Sequence, residues 1–210
     1  VRQNHLEAVL KGCMESLRLN RPVIVSVVAG VTVEQICDMI DDKYPVVRAI
    51  PNIPVLFGAG ATGLYAHSHV DEDHQLFIES LFQAMGVVRW VKEQKLIDVI
   101  CALASSGPAY YYYFAEAMVN AARGLGLTQN EAELFVSQTM LGASTVMMNS
   151  HRCTAAQLCA QVAVEGGTTK AALEVFEKQH VAGSIQQAIQ AAYDHANVLS
   201  KVVDPTEKES

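Results

Sequence analysis

The chain has 210 residues, is 50% hydrophobic and 18% charged, and carries a formal charge of −7. That balance describes a globular protein with a large apolar interior and excludes a disordered chain. The negative charge argues against nucleic acid or an anionic membrane as partner, and no run of 18 apolar residues offers a membrane span.

The first predicted element is a helix from Asn4 to Leu19, with Leu6, Val9, Leu10, Cys13, Met14 and Leu17 on one face. After Pro22, the run Val23 to Val28 is continuously apolar and β-branched, as in a strand covered on both faces. Ala29-Gly30 ends it. Thr32 caps a short helix over 33–40, and a second strand follows over 46–50. Strand, helix, strand is a βαβ unit, which puts this half in the α/β class. The second strand runs into Pro51-Asn52-Ile53-Pro54, where two prolines fix the loop and aim one amide side chain. Loops at the carboxyl ends of such strands form the ligand crevice of an open α/β sheet. Asn52 therefore has two readings of equal weight, a ligand contact and a turn residue satisfying its own backbone.

A glycine-rich connection, Gly58 to Gly63, precedes a short strand around 64–66. A helix is expected over 71–85 and a last strand over 87–91. From about Lys95 onward only helices are expected, so a boundary falls near residues 92–95. The first of these helices, 96–125, contains Ala104-Ser105-Ser106-Gly107-Pro108, and a proline there breaks or kinks it. Tyr110 to Tyr113 step round the helix by about 100° each. One or two of them should pack inside, in a core role rather than a catalytic one. Thr128 and Glu131 form a capping box for a helix to Asn149, with Leu134, Phe135, Met140, Leu141, Val146 and Met147 as its apolar set. Thr154 starts the next helix, and the last runs from about Gly183 to Val202. Many small residues, among them Ala117, Ala121 and Gly142, permit close helix contacts. Together with the surplus of apolar surface they predict an obligate dimer of interleaved helices.

Between the last helices lies Gln161-Val162-Ala163-Val164-Glu165-Gly166-Gly167-Thr168-Thr169-Lys170. Two glycines let a ligand approach the backbone. Two threonines then open a helix, 170–178, with Ala171, Leu173, Val175 and Phe176 as a buried stripe. Free N–H groups and the positive end of a helix dipole make such a start a site for a carboxylate or phosphate. A plain turn with a Thr cap is the competing reading.

Five cysteines with no C-x-x-C pair predict reduced, buried thiols in a cytoplasmic protein. His67, His69 and His74 lie close to Asp71 and Asp73. They keep no recognised zinc spacing, so no metal is assigned.

Val25 to Thr32, Arg48 to Pro54, Ser106 to Tyr110 and Gly166 to Thr169 resemble, in order and spacing over essentially the whole chain, the pyrroline-5-carboxylate reductases. The resemblance implies an α/β plus all-α chain. Residues 1–93 would be the C-terminal part of a Rossmann-type NAD(P)-binding domain, 94–203 a helical dimerisation and substrate domain, and 204–210 a polar tail. It implies reduction of 1-pyrroline-5-carboxylate to L-proline with NADPH or NADH, in the cytoplasm. It also implies a homodimer that assembles further, commonly into a decamer. Thr169 would be catalytic, its hydroxyl facing the imine nitrogen. Gly166, Gly167, Thr168, Thr169 and Ser106 would bind substrate, with the backbone N–H groups of Gly167, Thr168 and Thr169 on the carboxylate. Val1, Arg2, Ala29, Gly30, Asn52 and Gln161 would border the cofactor. Val1-Arg2 looks like the end of the family's Ala-Val-Lys-Pro segment, so one or two further βαβ units of about 30 residues each are expected before it.

The chain departs from the family pattern at three places. The family's Asn-Thr-Pro is Asn52-Ile53-Pro54, its Ser-Gly-Ser-Gly is Ala104-Ser105-Ser106-Gly107, and its Ser-Pro before Gly-Gly-Thr-Thr is Val164-Glu165. The last replaces a hydroxyl near the substrate carboxylate with an apolar group beside an anion. Two alternatives stay open: a catalytically impaired dimeric homologue, and a related imine or β-hydroxyacid reductase. The latter would use a Lys or Asp donor that is not seen near Ser106.

Overall fold

A computed structural model describes residues 3–40 and 44–202, with the side chains of 200–202 excepted. Four strands form one sheet in the order β1-β2-β3-β4: β1 Ile24–Ser26, β2 Val46–Ile50, β3 Gly60–Ala66 and β4 Gly86–Trp90. β1 pairs parallel to β2, with Ser26 opposite Arg48. The helix between them, α3 (Val33–Ile40), completes the expected βαβ unit. The βαβ pattern recurs in β3, α4 (Glu72–Gln83) and β4, where the strands again pair parallel. β2 and β3 are antiparallel, with Ile50 opposite Gly63. The 3-10 helix Ile53–Phe57 between them is too short for a crossover, which requires a dozen or more residues. The sheet is therefore mixed.

All five residues of β2 are buried, as expected of a strand covered on both faces. Val46 packs with Leu6, Leu10, Ile36 and Ile40, which come from α1 (Leu6–Gly12) and α3. Val47 and Ala49 pack on the other face with Leu64, Ile78 and Val88. The predicted helix over 4–19 is two helices, α1 and α2 (Met14–Asn20), divided at Cys13. The Gly58–Gly63 connection is shorter than expected because β3 already begins at Gly60.

The helical part comprises α5 (Lys95–Ile100), a π-helical turn Cys101–Ser105, α6 (Gly107–Gly124), α7 (Gln129–Asn149), α8 (Ala155–Val162), α9 (Thr168–Lys178) and α10 (Val181–Val202). Pro108 does not interrupt a helix but stands at the second position of α6, where its missing N–H costs little. The chain forms two compact units. One contains residues up to Pro108 together with those from Ile189, and the other runs from Ala109 to Ala188. The change from α/β to helical chain at Lys95 and the change of compact unit at Ala109 are thus separate boundaries.

The helical unit buries few large side chains by itself. Its core cluster is Val119, Ala132 and Val136, with Ala115, Ala122 and Met140 packed against it. Three of the four consecutive tyrosines are exposed, Tyr113 by 78%, and Tyr110 alone is half-buried. Within one copy Tyr110 alone turns partly inward, the low end of the one or two expected, and the other three point elsewhere. Of the apolar set of α7, Met140 packs against this core, while Leu134, Phe135, Leu141, Val146 and Met147 are exposed. On α9, Val175 and Phe176 are exposed as well. Burial of the thiols also falls short, since Cys13 and Cys159 are exposed and the other three half-buried. No helix among the described residues is long and apolar enough to cross a membrane.

Candidate active site

Parallel pairing of β1 and β2 brings Ala29-Gly30 and Asn52 to the same end of the sheet. Asn52 is half-buried. Its Oδ1 accepts from the Ala61 amide at 2.9 Å, and its Nδ2 donates to the Ala104 carbonyl at 3.1 Å. The side chain ties the loop after β2 to the start of β3 and to the π-helical turn, rather than to its own backbone. The Ser105 hydroxyl donates to the Pro51 carbonyl at 3.4 Å and reinforces the tie. Ser106 follows directly, half-buried, its amide donating to the Cys101 carbonyl at 3.0 Å. The structure thus gathers Asn52, Ser105 and Ser106 around one loop.

Gly30 has a φ of 72°, the left-handed region that glycine enters without strain. A Cβ there would lie 2.6 Å from Cβ of Leu199. Gln3 Nε2 donates to the Leu199 carbonyl at 2.8 Å and to the Gly30 carbonyl at 3.3 Å. Gly30 is buried by these contacts, and Ala29 is the exposed residue of the turn. Val1 and Arg2 lie outside the described residues.

The start of α3 is closed by side chains. Thr32 and Gln35 exchange hydrogen bonds of 2.9 and 3.2 Å, and Gln94 Oε1 accepts from the Val33 amide at 2.7 Å. Gln94 Nε2 also donates to Glu34. Burial raises the Glu34 carboxyl, but this hydrogen bond and those from its own amide and Thr32, with His67 nearby, hold it below the ordinary value. Gly58, Gly60 and Gly63 match the letters G-x-G-x-x-G, yet they lead from a 3-10 helix into a strand. A dinucleotide fingerprint leads from a strand into a helix. A Cβ on Gly60 would meet Val55 at 2.3 Å, and one on Gly63 would meet Ile100 at 2.7 Å. Gly60 and Gly63 serve packing, whereas Gly58, with φ 68°, ends the 3-10 helix. Among the described residues this glycine run is therefore no phosphate cradle.

In the helical unit, Gln161 is the penultimate residue of α8, exposed, with Nε2 at 3.9 Å from Cys153 Sγ. The Gly167 amide donates to the Val164 carbonyl at 3.1 Å, closing a turn. Gly166 stands in that turn with φ 72°. Gly167 is the N-cap of α9 and has no side chain to close it. By contrast, Asp71 caps α4, Thr128 caps α7 and Thr154 caps α8. Since the Gly167 amide is engaged in the turn, the N–H groups left at the start of α9 belong to Thr168, Thr169 and Lys170. Thr169 is half-buried and Thr168 exposed. Across the turn, Lys170 Nζ pairs with Glu165 Oε2.

Two features escaped the sequence reading. One is this Glu165–Lys170 pair. The other is a buried pair, Arg48 Nη2 to Asp98 Oδ1 at 3.1 Å, with the Arg48 side chain 1% exposed. Arg48 Nε and Nη1 have no partner. The signal was available, because a charge inside the apolar run Val46 to Ile50 requires a compensating charge. Burial first, and the Asp98 carboxylate second, raise the Cys101 thiol against the lowering effect of Arg48. These surroundings disfavour the Cys101 thiolate.

The histidine cluster resolves into two pairs. His67 and His69 stack, with Nδ1 atoms 2.8 Å apart, and His74 Nδ1 lies 2.7 Å from Asp71 Oδ1. Among the described residues no group of three or more His, Cys, Asp or Glu side chains is placed to hold a metal.

Residues 94–199 match the family model for pyrroline-5-carboxylate reductase dimerisation. A pyrroline-5-carboxylate reductase of Vibrio alginolyticus is 32% identical over 189 residues, which cover 90% of this chain and 70% of the relative. The structure of a pyrroline-5-carboxylate reductase from Coxiella burnetii is 36% identical, with a TM-score of 0.87 over 95% of this chain and 74% of that one. A Plasmodium falciparum pyrroline carboxylate reductase, solved with NADP bound, is alike in fold. Its identity is 23% and its TM-score 0.88, over 95% of this chain and 79% of that one.

Proposed function

The chain belongs to the pyrroline-5-carboxylate reductase family, and from that premise we propose that it reduces 1-pyrroline-5-carboxylate to L-proline with NADPH or NADH. The observation that carries the reading at the site is the start of α9, where Gly167 leaves the helix without a side-chain cap. A carboxylate is the ligand such a start favours, because uncapped amides and the helix dipole both attract an anion.

The Thr168 and Thr169 amides hold the substrate carboxylate, and Gly166 and Gly167 keep side chains out of its way. The reduced nicotinamide supplies the hydride that attacks the carbon of the C=N bond. As that carbon gains hydride, the π electrons move to nitrogen, which holds or takes up a proton and becomes the amine of proline. The Thr169 hydroxyl hydrogen-bonds this nitrogen. The chain's main task is to hold the reactants in contact and in line. Ser106 lines the substrate pocket. Ala29, Gly30, Asn52 and Gln161 border the cofactor. Asn52 does so as a braced wall, because its amide oxygen and one N–H are engaged with Ala61 and Ala104.

The chain is homo-oligomeric, and residues 94–203 make a homodimer by interleaving helices from two copies. Such dimers assemble further, a decamer being one closed form. We place the reaction in the cytoplasm.

The test is the reverse reaction, proline-dependent reduction of NAD⁺ or NADP⁺ at high pH, with the whole protein. Activity above background is the expected result, and comparing the two nucleotides assigns the preference. A folded, dimeric protein without activity would turn the reading to the impaired homologue and make Val164 and Glu165 the residues to revert.

A further inference from the structure

We propose that Lys170 is a positioning residue that keeps the Glu165 carboxylate off the start of α9, so that the site there stays free for the substrate's carboxylate. The inference rests on the reading of that start as the substrate site. Glu165 stands two residues before the N-cap Gly167, and its side chain is 86% exposed. A carboxylate so placed is drawn to the same amides and the same dipole that attract the substrate. Gly166 and Gly167 put no side chain in its path. Glu165 is thus a tethered competitor, present at high effective concentration.

Lys170 stands at the third position of α9, in the first turn, where a cation is disfavoured by the dipole. The left-handed Gly166 turns the chain back, and the Lys170 ammonium meets the Glu165 carboxylate across the turn. The pair engages the competing anion and cancels the charge that Glu165 adds beside the site. An unfavourable lysine and an unfavourable glutamate make sense together and not apart.

The experiment is a double-mutant cycle in the whole protein, read as KM for 1-pyrroline-5-carboxylate, kcat, and direct calorimetric binding of L-proline. Lys170→Met keeps the aliphatic stem and removes the charge. It should raise KM and weaken proline binding by about two- to fivefold, the range of one helix-dipole charge interaction, with kcat within about twofold. Adding Glu165→Gln should return KM and proline affinity to those of the parent. Unchanged KM in Lys170→Met overturns the inference. A double mutant as weak as Lys170→Met also overturns it, because Lys170 would then attract the substrate directly. A parent protein that neither turns over the substrate nor binds proline overturns the site reading itself, and the inference with it.

Discussion

Thr169 is the residue on which the proposed chemistry turns, and it is placed by its neighbours. Gly166 supplies the left-handed turn, Gly167 leaves the helix start uncapped, and Thr169 follows half-buried. Thr169→Ala in the whole protein should lower kcat by roughly 100-fold, the size of one lost polar contact in the transition state. Cofactor binding, followed by nucleotide titration, should stay nearly unchanged; equal turnover in the mutant would remove Thr169 from the mechanism. The turn and the helix start were legible because their pattern is local to ten residues. The role of Asn52 was not, because its partners Ala61 and Ala104 lie 9 and 52 residues away. No local pattern reports a hydrogen bond to a distant carbonyl. Gly30 is a similar case: its left-handed conformation suits a turn, but Leu199 beside it comes from the far end of the chain.

At the level of elements, the helix caps at Thr32, Thr128 and Thr154 and the first βαβ unit follow from local rules, and the structure keeps them. The mixed sheet does not follow from them. Direction at β3 depends on the 3-10 helix Ile53–Phe57, which is short and irregular, and on glycines that allow Val55 and Ile100 to approach the strand. The same elements are held together by Arg48 on β2 and Asp98 on α5. Asp98→Ala would leave the Arg48 guanidinium buried, and it already carries two unpartnered nitrogens. Removing one member of a buried pair costs about 3–5 kcal/mol. Urea denaturation should show a loss of that order, through a lower midpoint at an unchanged slope. The π-helical turn that carries the Asn52 contact directly follows α5, so catalytic efficiency should fall along with stability. A loss under about 1 kcal/mol, the scale of an exposed pair, would show that the pair is solvated and does not clamp these elements.

The whole molecule is where sequence periodicity says least, because an apolar stripe does not state whose core it enters. On α7 the chain's own core takes Ala132 and Val136, with Met140 packed beside them. That is one narrow stripe at a spacing of four. Leu134, Phe135, Leu141 and Met147 point elsewhere and are exposed. A groove of about 510 Å³ lined by Leu173, Phe176, Val181 and Ile185 adds to the uncovered apolar surface. So much exposed apolar surface is a liability in a monomer and ordinary in a subunit. A second copy covers it in the dimerisation reading, and the small residues of α6 and α7 allow the close contacts that interleaving requires. Sedimentation equilibrium at low micromolar concentration should therefore give a mass of at least two chains. Leu134→Asp or Phe135→Asp would place a charge on that surface, at a cost well above the roughly 0.5 kcal/mol of a neutral surface change. In a monomer either substitution is nearly silent, because the side chain already faces water. In an obligate dimer it should shift the mass toward one chain and lower the thermal midpoint in a concentration-dependent way.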